Sequence, residues 1–152
     1  MVEVVKEVPN AKVLFAGNGE LQRQLENKVL KLHLENNIVF LGYRTDCERF
    51  VNIASLICSC SYREGLPMNI AEGMSLGKPV VASKNRGHSE LVADGESGFI
   101  VSPKKPIELA EKIKIILKDE KLASQFGSNG KERVQDYNIE VVKKEIENIF
   151  IK

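Results

Sequence analysis

The chain has 152 residues, which is the length of one domain with a full hydrophobic core. Hydrophobic residues make up 43% and charged residues 28%, and 22 basic side chains against 21 acidic ones give a formal net charge of +1. This balance is typical of a globular protein and argues against nucleic acid as a partner. The apolar runs are a few residues long, whereas a bilayer crossing needs roughly 20 residues.

The N-terminus and the cysteines both indicate the cytoplasm. Glu3 and Glu7 lie where a signal peptide would carry a basic region and an apolar stretch. Cys47, Cys58 and Cys60 cannot all pair within the chain, and a zinc site at Cys58-x-Cys60 would need two further ligands at matching spacing. We therefore expect the cysteines to be small packing residues in a reducing compartment.

Short β-rich runs alternate with helical patterns along the chain. The β-rich runs predict strands at 12–17, 38–41, 55–59, 79–82 and 98–101. Apolar spacings of three and four predict helices at 20–35, 46–54, 68–76, 87–92, 106–118, 121–135 and 139–150. Strands separated by helices of about ten residues predict an α/β fold, a doubly wound, Rossmann-like parallel sheet in a single domain with C-terminal helices.

Ligands of such sheets bind outside the carboxyl ends of the strands, where loops lead into helix N-termini. The loops at that edge are predicted at 17–20, 42–46, 59–68 and 83–87. These four loops are therefore the places to look for functional residues.

The loop before the 68–76 helix has the residue types of an anion and sugar site. Its N–H groups and the positive end of the helix dipole would face a ligand, and Gly65 allows backbone to approach a phosphate closely. Glu64 and Glu72 are eight positions apart, and carboxylates accept hydrogen bonds from sugar hydroxyls. The same pattern also fits a plain helix start, where acidic residues are favoured by the dipole, and spacing alone leaves both interpretations open.

Several segments, in order and spacing, resemble the family 4 retaining glycosyltransferases, which have the two-domain GT-B architecture. The paired-glutamate motif of that family is similar to Glu64-Gly65-Leu66-Pro67 through Glu72-Gly73-Met74, followed by 77–82. Further similar segments are Phe15-Ala16-Gly17-Asn18-Gly19, Val39 to Arg44 and Asp94 to Val101. Asn85-Arg86-Gly87-His88 resembles the form found in members that build bacterial capsular polysaccharide and exopolysaccharide.

The resemblance implies a role for each matching position. Glu72 would bind the ribose hydroxyls, and Glu64, the catalytic candidate, would lie against the donor sugar. Backbone amides around Gly65, Leu66 and Pro67 would hold the diphosphate, with the leaving-group charge stabilised electrostatically.

Other positions would complete the donor site. Gly17 and Gly19 form the family's glycine turn, and Gly42, Tyr43 and Arg44 would contact the base, largely through backbone. Arg86 and His88 are further candidates for donor contact. The resemblance implies no metal and no cofactor, and a UDP-sugar as the substrate.

The chain departs from the family at two places. Gly73 stands where relatives usually have alanine, at a cost of up to about 1 kcal/mol in a helix. The domain, predicted over residues 1–152, starts after the family's first strand and its diphosphate-binding basic residues. We therefore expect weak donor binding and an acceptor-binding N-terminal GT-B domain supplied in cis or in trans.

The implied reaction is retaining transfer of a sugar to a glycan or lipid-linked acceptor, in the cytoplasm or at the inner face of the membrane. The alternative is a non-catalytic module that binds a nucleotide or a partner protein. A dehydrogenase is disfavoured because residue 22 is Gln, where a dinucleotide fingerprint requires its third glycine.

Overall fold

The computed structural model describes residues 1–150, apart from the side chain of Glu145. Residues 151 and 152, the end of the predicted domain, lie outside this range. The strands are β1 Val13–Ala16, β2 Ile38–Gly42, β3 Ile57–Ser59, β4 Val80–Ser83 and β5 Gly98–Val101. The α-helices are α1 Val2–Val5, α2 Gln22–Lys31, α3 Cys47–Ile53, α4 Met68–Ser75, α5 Arg86–Leu91, α6 Pro106–Lys118, α7 Glu120–Arg133 and α8 Ile139–Phe150, with a 3₁₀-helix at Val134–Tyr137 between the last two.

All strand pairs are parallel, as the sequence predicts. The strands form two sheets rather than one, with the orders β1-β2 and β3-β4-β5. In the described part of the chain, β4 is therefore the only strand with a neighbour on both sides. Leu14 and Phe15 of β1 are 38% and 47% exposed, so the prediction of a strand buried on both faces is wrong at β1.

The core lies on both faces of the three-stranded sheet. β4 is buried along its whole length, and its side chains alternate between the two faces. Val80 and Ala82 pack with Ile70 and Met74 of α4. On the other face, Val81 packs with Val101, Ile116 and Phe126, which brings α6 and α7 onto the sheet. Helices on both faces confirm the predicted doubly wound arrangement.

A cluster of charged side chains joins α1 to α6. Val4 is fully buried, and the Glu7 carboxylate accepts hydrogen bonds from the Nζ groups of Lys114 and Lys118. These two bonds lower the pKa of Glu7 to about 2. Because Glu7 and Lys114 are 107 positions apart in sequence, this contact fixes the start of the chain against α6.

The helix predicted to reach Asn36–Asn37 ends earlier, at Lys31. His33 follows that end with φ of 54°, a left-handed conformation, so its predicted helical position is wrong. Leu21 and Leu25, on the predicted apolar stripe of α2, are exposed. Among the helices of residues 1–150, none combines the length and the apolar character that a bilayer crossing requires.

Gly73 and Gly127 each stand where two elements touch. A Cβ at Gly73 would lie 2.4 Å from Cγ1 of Ile57, so α4 packs on β3 too closely for alanine. A Cβ at Gly127 would lie 2.0 Å from the carbonyl oxygen of Gly77, where α7 meets the end of α4. The glycine that departs from the family's usual alanine therefore has a packing reason.

Candidate functional site

A pocket of about 380 Å³ lies beside the loop that follows β3. It is lined by Glu64, Gly65, Leu66, Arg86, Glu90 and Tyr137. Three predicted loop residues and one predicted contact residue from α5 therefore meet in one place. A larger hollow of about 630 Å³, lined by Pro9, Asn10, Lys12, Asn36 and Asn37, lies at the amino ends of β1 and β2, away from the predicted ligand edge.

The N-terminus of α4 faces the loop that carries Glu64. Pro67 is buried and occupies the N-cap position without a side-chain hydrogen bond, while its carbonyl accepts from the N–H groups of Ile70 and Ala71. The positive end of the helix dipole is thus free of a side-chain cap and suits an anion. Gly65 is exposed, and a Cβ built there would meet no protein atom within 4 Å, so the glycine leaves space at the pocket wall.

Glu72 lies on α4 and is exposed between the buried residues Ala71 and Gly73. The pocket beside Glu64 does not include Glu72 among its lining residues. The structure therefore places the two glutamates on the same loop–helix unit, with Glu64 alone at this pocket.

The loops after β1 and β2 carry a second group of residues that are predicted to contact the nucleotide sugar. Gly17 donates a hydrogen bond of 2.7 Å from its N–H to the carbonyl of Gly42. Gly17 and Gly42 have φ of 127° and 65°, conformations that favour glycine, and Gly19 is exposed in the same turn. The glycine turn of β1 and the end of β2 are therefore held together by backbone.

Tyr43 and Arg44 follow directly. Tyr43 is 75% exposed, whereas the guanidinium of Arg44 donates two hydrogen bonds of 2.8 Å to Asp46 and lies 5.1 Å from the ring centroid of Phe50. The paired charges raise the pKa of Arg44 and lower that of Asp46. Arg44 is thus oriented by Asp46 at the carboxyl end of β2.

Arg86 and His88 occupy different environments on α5. Arg86 is exposed and lines the pocket. His88 is fully buried, with Nε2 at 3.1 Å from Oγ of Ser59 and Nδ1 at 2.6 Å from the carbonyl oxygen of Ser83. Both ring nitrogens of His88 are therefore engaged by protein atoms.

Residues 1–133 match the glycosyl transferases group 1 family. The chain belongs to this family. It is a glycosyltransferase domain, and the resemblance to the glycosyltransferase family is thereby confirmed.

Individual relatives agree with this assignment. The domain is 29% identical to the capsular polysaccharide biosynthesis glycosyltransferase CapM of Staphylococcus aureus, covering 97% of this chain and 39% of CapM. It superposes with a TM-score of 0.92 on a mutant of S. aureus TarM solved with fondaparinux, alpha-GlcNAc-glycerol and UDP, at 26% identity over 99% of this chain and 31% of TarM. With Anabaena HepE, solved with UDP and glucose, the TM-score is 0.87 at 27% identity, over 97% of this chain and 42% of HepE. The chain spans about two fifths, 38% to 42%, of four of the curated relatives it matches.

Two pocket residues of the glycosyltransferase domain escape the sequence analysis. Glu90 lies one helical turn after Arg86 on α5, and this spacing of four could have identified it. Tyr137 comes from the 3₁₀-helix after α7, and no local motif connects it with the loop of Glu64. The pocket thus combines two carboxylates, a guanidinium and an aromatic ring.

Residues 1–150 contain no group of three or more His, Cys, Asp or Glu side chains placed to hold a metal ion. Cys58 and Cys60 are neighbouring exposed thiols. The thiol of Cys58 lowers the pKa of Cys60 to about 7, and the thiol of Cys60 raises the pKa of Cys58. Cys60 is therefore the more reactive thiol, at the start of the Glu64 loop.

Proposed function

We propose that this domain binds the nucleotide-sugar donor of a retaining glycosyltransferase that builds a glycan or extends a lipid-linked acceptor. The observation that carries the proposal is the pocket in which Glu64, Gly65 and Leu66, the loop residues just before α4, meet Arg86 of α5. The complexes of TarM with UDP and of HepE with UDP and glucose support the choice of a UDP-sugar.

The diphosphate would bind at the N-terminus of α4. The N–H groups of Gly65 and Leu66 and the uncapped first turn of the helix supply neutral donors, and Arg86 adds a positive charge at the pocket wall. Pro67 has no N–H, so its contribution is the bend and the N-cap position. This arrangement stabilises the negative charge that grows on the leaving diphosphate.

Glu64 would face the transferred sugar. Its carboxylate can accept hydrogen bonds from sugar hydroxyls and stabilise the positive charge of an oxocarbenium-like transition state. Glu72 would accept from the ribose hydroxyls, and Gly42, Tyr43 and Arg44 would border the base. A metal ion has no part in this scheme, since helix dipole, amides and the basic side chain take over charge stabilisation.

The acceptor would bind to a further domain. The chain spans about two fifths of the curated relatives, and we propose that an N-terminal GT-B domain, in cis or in trans, completes the active site at the cytoplasmic face of a membrane. Exposed apolar residues on α8, namely Ile146, Ile149 and Phe150, provide area for such a contact. The same residues favour the second candidate, a module that binds a partner protein without catalysis.

Calorimetric titration tests the proposal. The chain is titrated with UDP, UDP-glucose, UDP-N-acetylglucosamine, GDP-mannose and UMP, and we expect a nucleoside diphosphate to bind more tightly than UMP. The substitution Glu64→Gln should remove the extra affinity of the sugar conjugate over free UDP, because the amide replaces an anionic acceptor with a neutral one.

Glu132→Gln is the matched control, since Glu132 is an exposed glutamate of α7 that does not line the pocket. It should leave all affinities unchanged. Failure of every nucleoside diphosphate to bind at millimolar concentration would contradict the donor-binding function and leave the partner-binding module.

A further inference from the structure

The first turn of α5 lies directly against the loop that carries Glu64. A Cβ at Gly87 would lie 2.1 Å from the carbonyl oxygen of Gly65 and 2.9 Å from that of Glu64. Gly87 is buried, whereas Gly65 is exposed. The backbone of the loop therefore packs directly against Gly87, the residue of α5 that has no side chain to displace it.

The start of the same loop is held by two hydrogen bonds on one acceptor. The carbonyl oxygen of Ser61 accepts from Oγ of Ser83 at 2.8 Å and from Nδ2 of Asn85 at 2.9 Å. Asn85 also caps α5, because its Oδ1 accepts from the N–H of His88 at 2.9 Å. A single amide side chain thus joins the cap of α5 to the beginning of the loop.

His88 joins the ends of the two strands that flank this contact. Nδ1 of His88 lies 2.6 Å from the carbonyl oxygen of Ser83 and 2.9 Å from Nδ2 of Asn85. Nε2 lies 3.1 Å from the hydroxyl oxygen of Ser59. The ring is fully buried, so it holds the last residue of β3 at a set distance from the last residue of β4.

We propose that residues 85–88 position the loop that carries Glu64. In this proposal Gly87 packs against the Glu64–Gly65 peptide, and Asn85 and His88 hold the start of the loop. This inference rests on the donor-binding function proposed above. Residues 85–88 act through the loop: they set where the carboxylate of Glu64 and the N–H groups after it stand relative to Arg86 in the pocket. His88 is accordingly a positioning residue with no direct donor contact.

Two variants test the element by independent routes. Gly87→Ala inserts a methyl group into the contact and must displace the Glu64–Gly65 peptide. Asn85→Asp keeps an oxygen for the N–H of His88, and Asp caps helices as well as Asn does. It loses the Nδ2 group that contacts both the carbonyl oxygen of Ser61 and Nδ1 of His88, and a carboxylate oxygen would face these two atoms instead. Gly130→Ala is the control, because a Cβ there lies at an ordinary 3.5 Å from the nearest atom, in Met74.

Each variant is measured in two ways: the ¹⁵N–¹H chemical shifts of the amides, and calorimetric titration with UDP-glucose. In both loop variants, the amide resonances of residues 61–66 should move while those of α6 and α7 stay unchanged. In Asn85→Asp the N–H of His88 should stay protected from hydrogen exchange, because its acceptor oxygen remains. Affinity for UDP-glucose should fall about tenfold, which corresponds to one charge-assisted hydrogen bond to the diphosphate.

The outcomes separate the two proposals. If the wild-type chain binds UDP-glucose and Gly87→Ala binds it equally well, the positioning role is wrong while the donor site stands. Unchanged amide resonances at residues 61–66 in both variants overturn the positioning role as well. If the wild type binds neither UDP nor UDP-glucose, the donor function fails, and the amide resonances of residues 61–66 alone decide whether residues 85–88 hold the loop. Should Gly87→Ala not fold, Asn85→Asp carries the test.

Discussion

The contact between α7 and the end of α4 predicts opposite effects of two similar substitutions on the stability of the domain. Gly127 and Gly130 both lie in α7, three residues apart, and replacing either by alanine gains helix propensity of up to about 1 kcal/mol. Only Gly127 meets backbone, since its added Cβ would lie 2.0 Å from the carbonyl oxygen of Gly77. At Gly130 the Cβ would lie 3.5 to 3.7 Å from carbon atoms of Met74, an ordinary contact.

The magnitude follows from the distance that must be restored. An ordinary contact of roughly 3.5 Å requires α7 and the end of α4 to separate by about 1.5 Å at Gly127. Such a shift also disturbs the neighbouring Phe126, which is buried against Val81, Val101 and Ile116. Overpacking of this kind costs typically 1–3 kcal/mol, and with the upper value and the propensity gain we expect a net loss of about 2 kcal/mol.

The assay is thermal unfolding followed by circular dichroism, with urea unfolding as a second measure. For a domain of this size 1 kcal/mol shifts the midpoint by about 3 °C. Gly127→Ala should therefore lower it by about 6 °C, while Gly130→Ala should raise it by up to about 3 °C. A Gly127→Ala protein as stable as the wild type would refute the close approach of the two backbones.

Three further predictions follow from other contacts. Gly73→Ala should destabilise the domain despite its gain in helix propensity, because the added Cβ clashes with the side chain of Ile57. The loss of stability should shrink by about 1 kcal/mol when Ile57→Ala removes the clashing atoms. Urea unfolding of the four proteins of this double-mutant cycle measures both effects. Glu7, with its pKa lowered from 4.5 to about 2, contributes stability that is fully present above the higher value and is lost as the pH falls through the lower one. Glu7→Gln should therefore have a flatter melting temperature between pH 5 and pH 2 than the wild type, and equal slopes would contradict the pairing with its two lysines. Alkylation by iodoacetamide should show a phase with half-maximal rate near pH 7 that disappears in Cys60→Ser and survives in Cys47→Ser.

The strands and helices are predictable because the spacing of apolar residues changes between that of a strand and that of a helix at recognisable turn residues. β4 reads as a continuous apolar run and is buried on both faces, and Pro106 begins α6 as a first-turn proline. The division into two sheets is not predictable from such local patterns, since strand pairing depends on which strands meet in space. For the same reason the local sequence pattern does not predict the exposure of Leu14 and Leu25.

The candidate site is predictable in part. Glu64 and Gly65 follow from the rule that ligands bind at strand carboxyl ends, and Arg86 follows from the next strand of the same sheet. Tyr137 belongs to a distant 3₁₀-helix, and only the three-dimensional structure brings it to the pocket. The packing of Gly87 against the Glu64–Gly65 peptide is likewise a contact of backbone with backbone, for which a sequence carries no signal beyond the glycine itself.

The central claim is that a nucleotide sugar binds where the loops after β3 and β4 meet at the start of α4. The most direct measurement is a titration of the ¹⁵N-labelled chain with UDP-glucose, with the shift of each amide resonance mapped onto the structure. The account predicts saturable shifts at Gly65, Leu66 and Gly87, with further shifts at Gly17 and Gly42 where the base would lie. Saturable shifts confined to other surfaces, with all five of these amides unmoved, would contradict it.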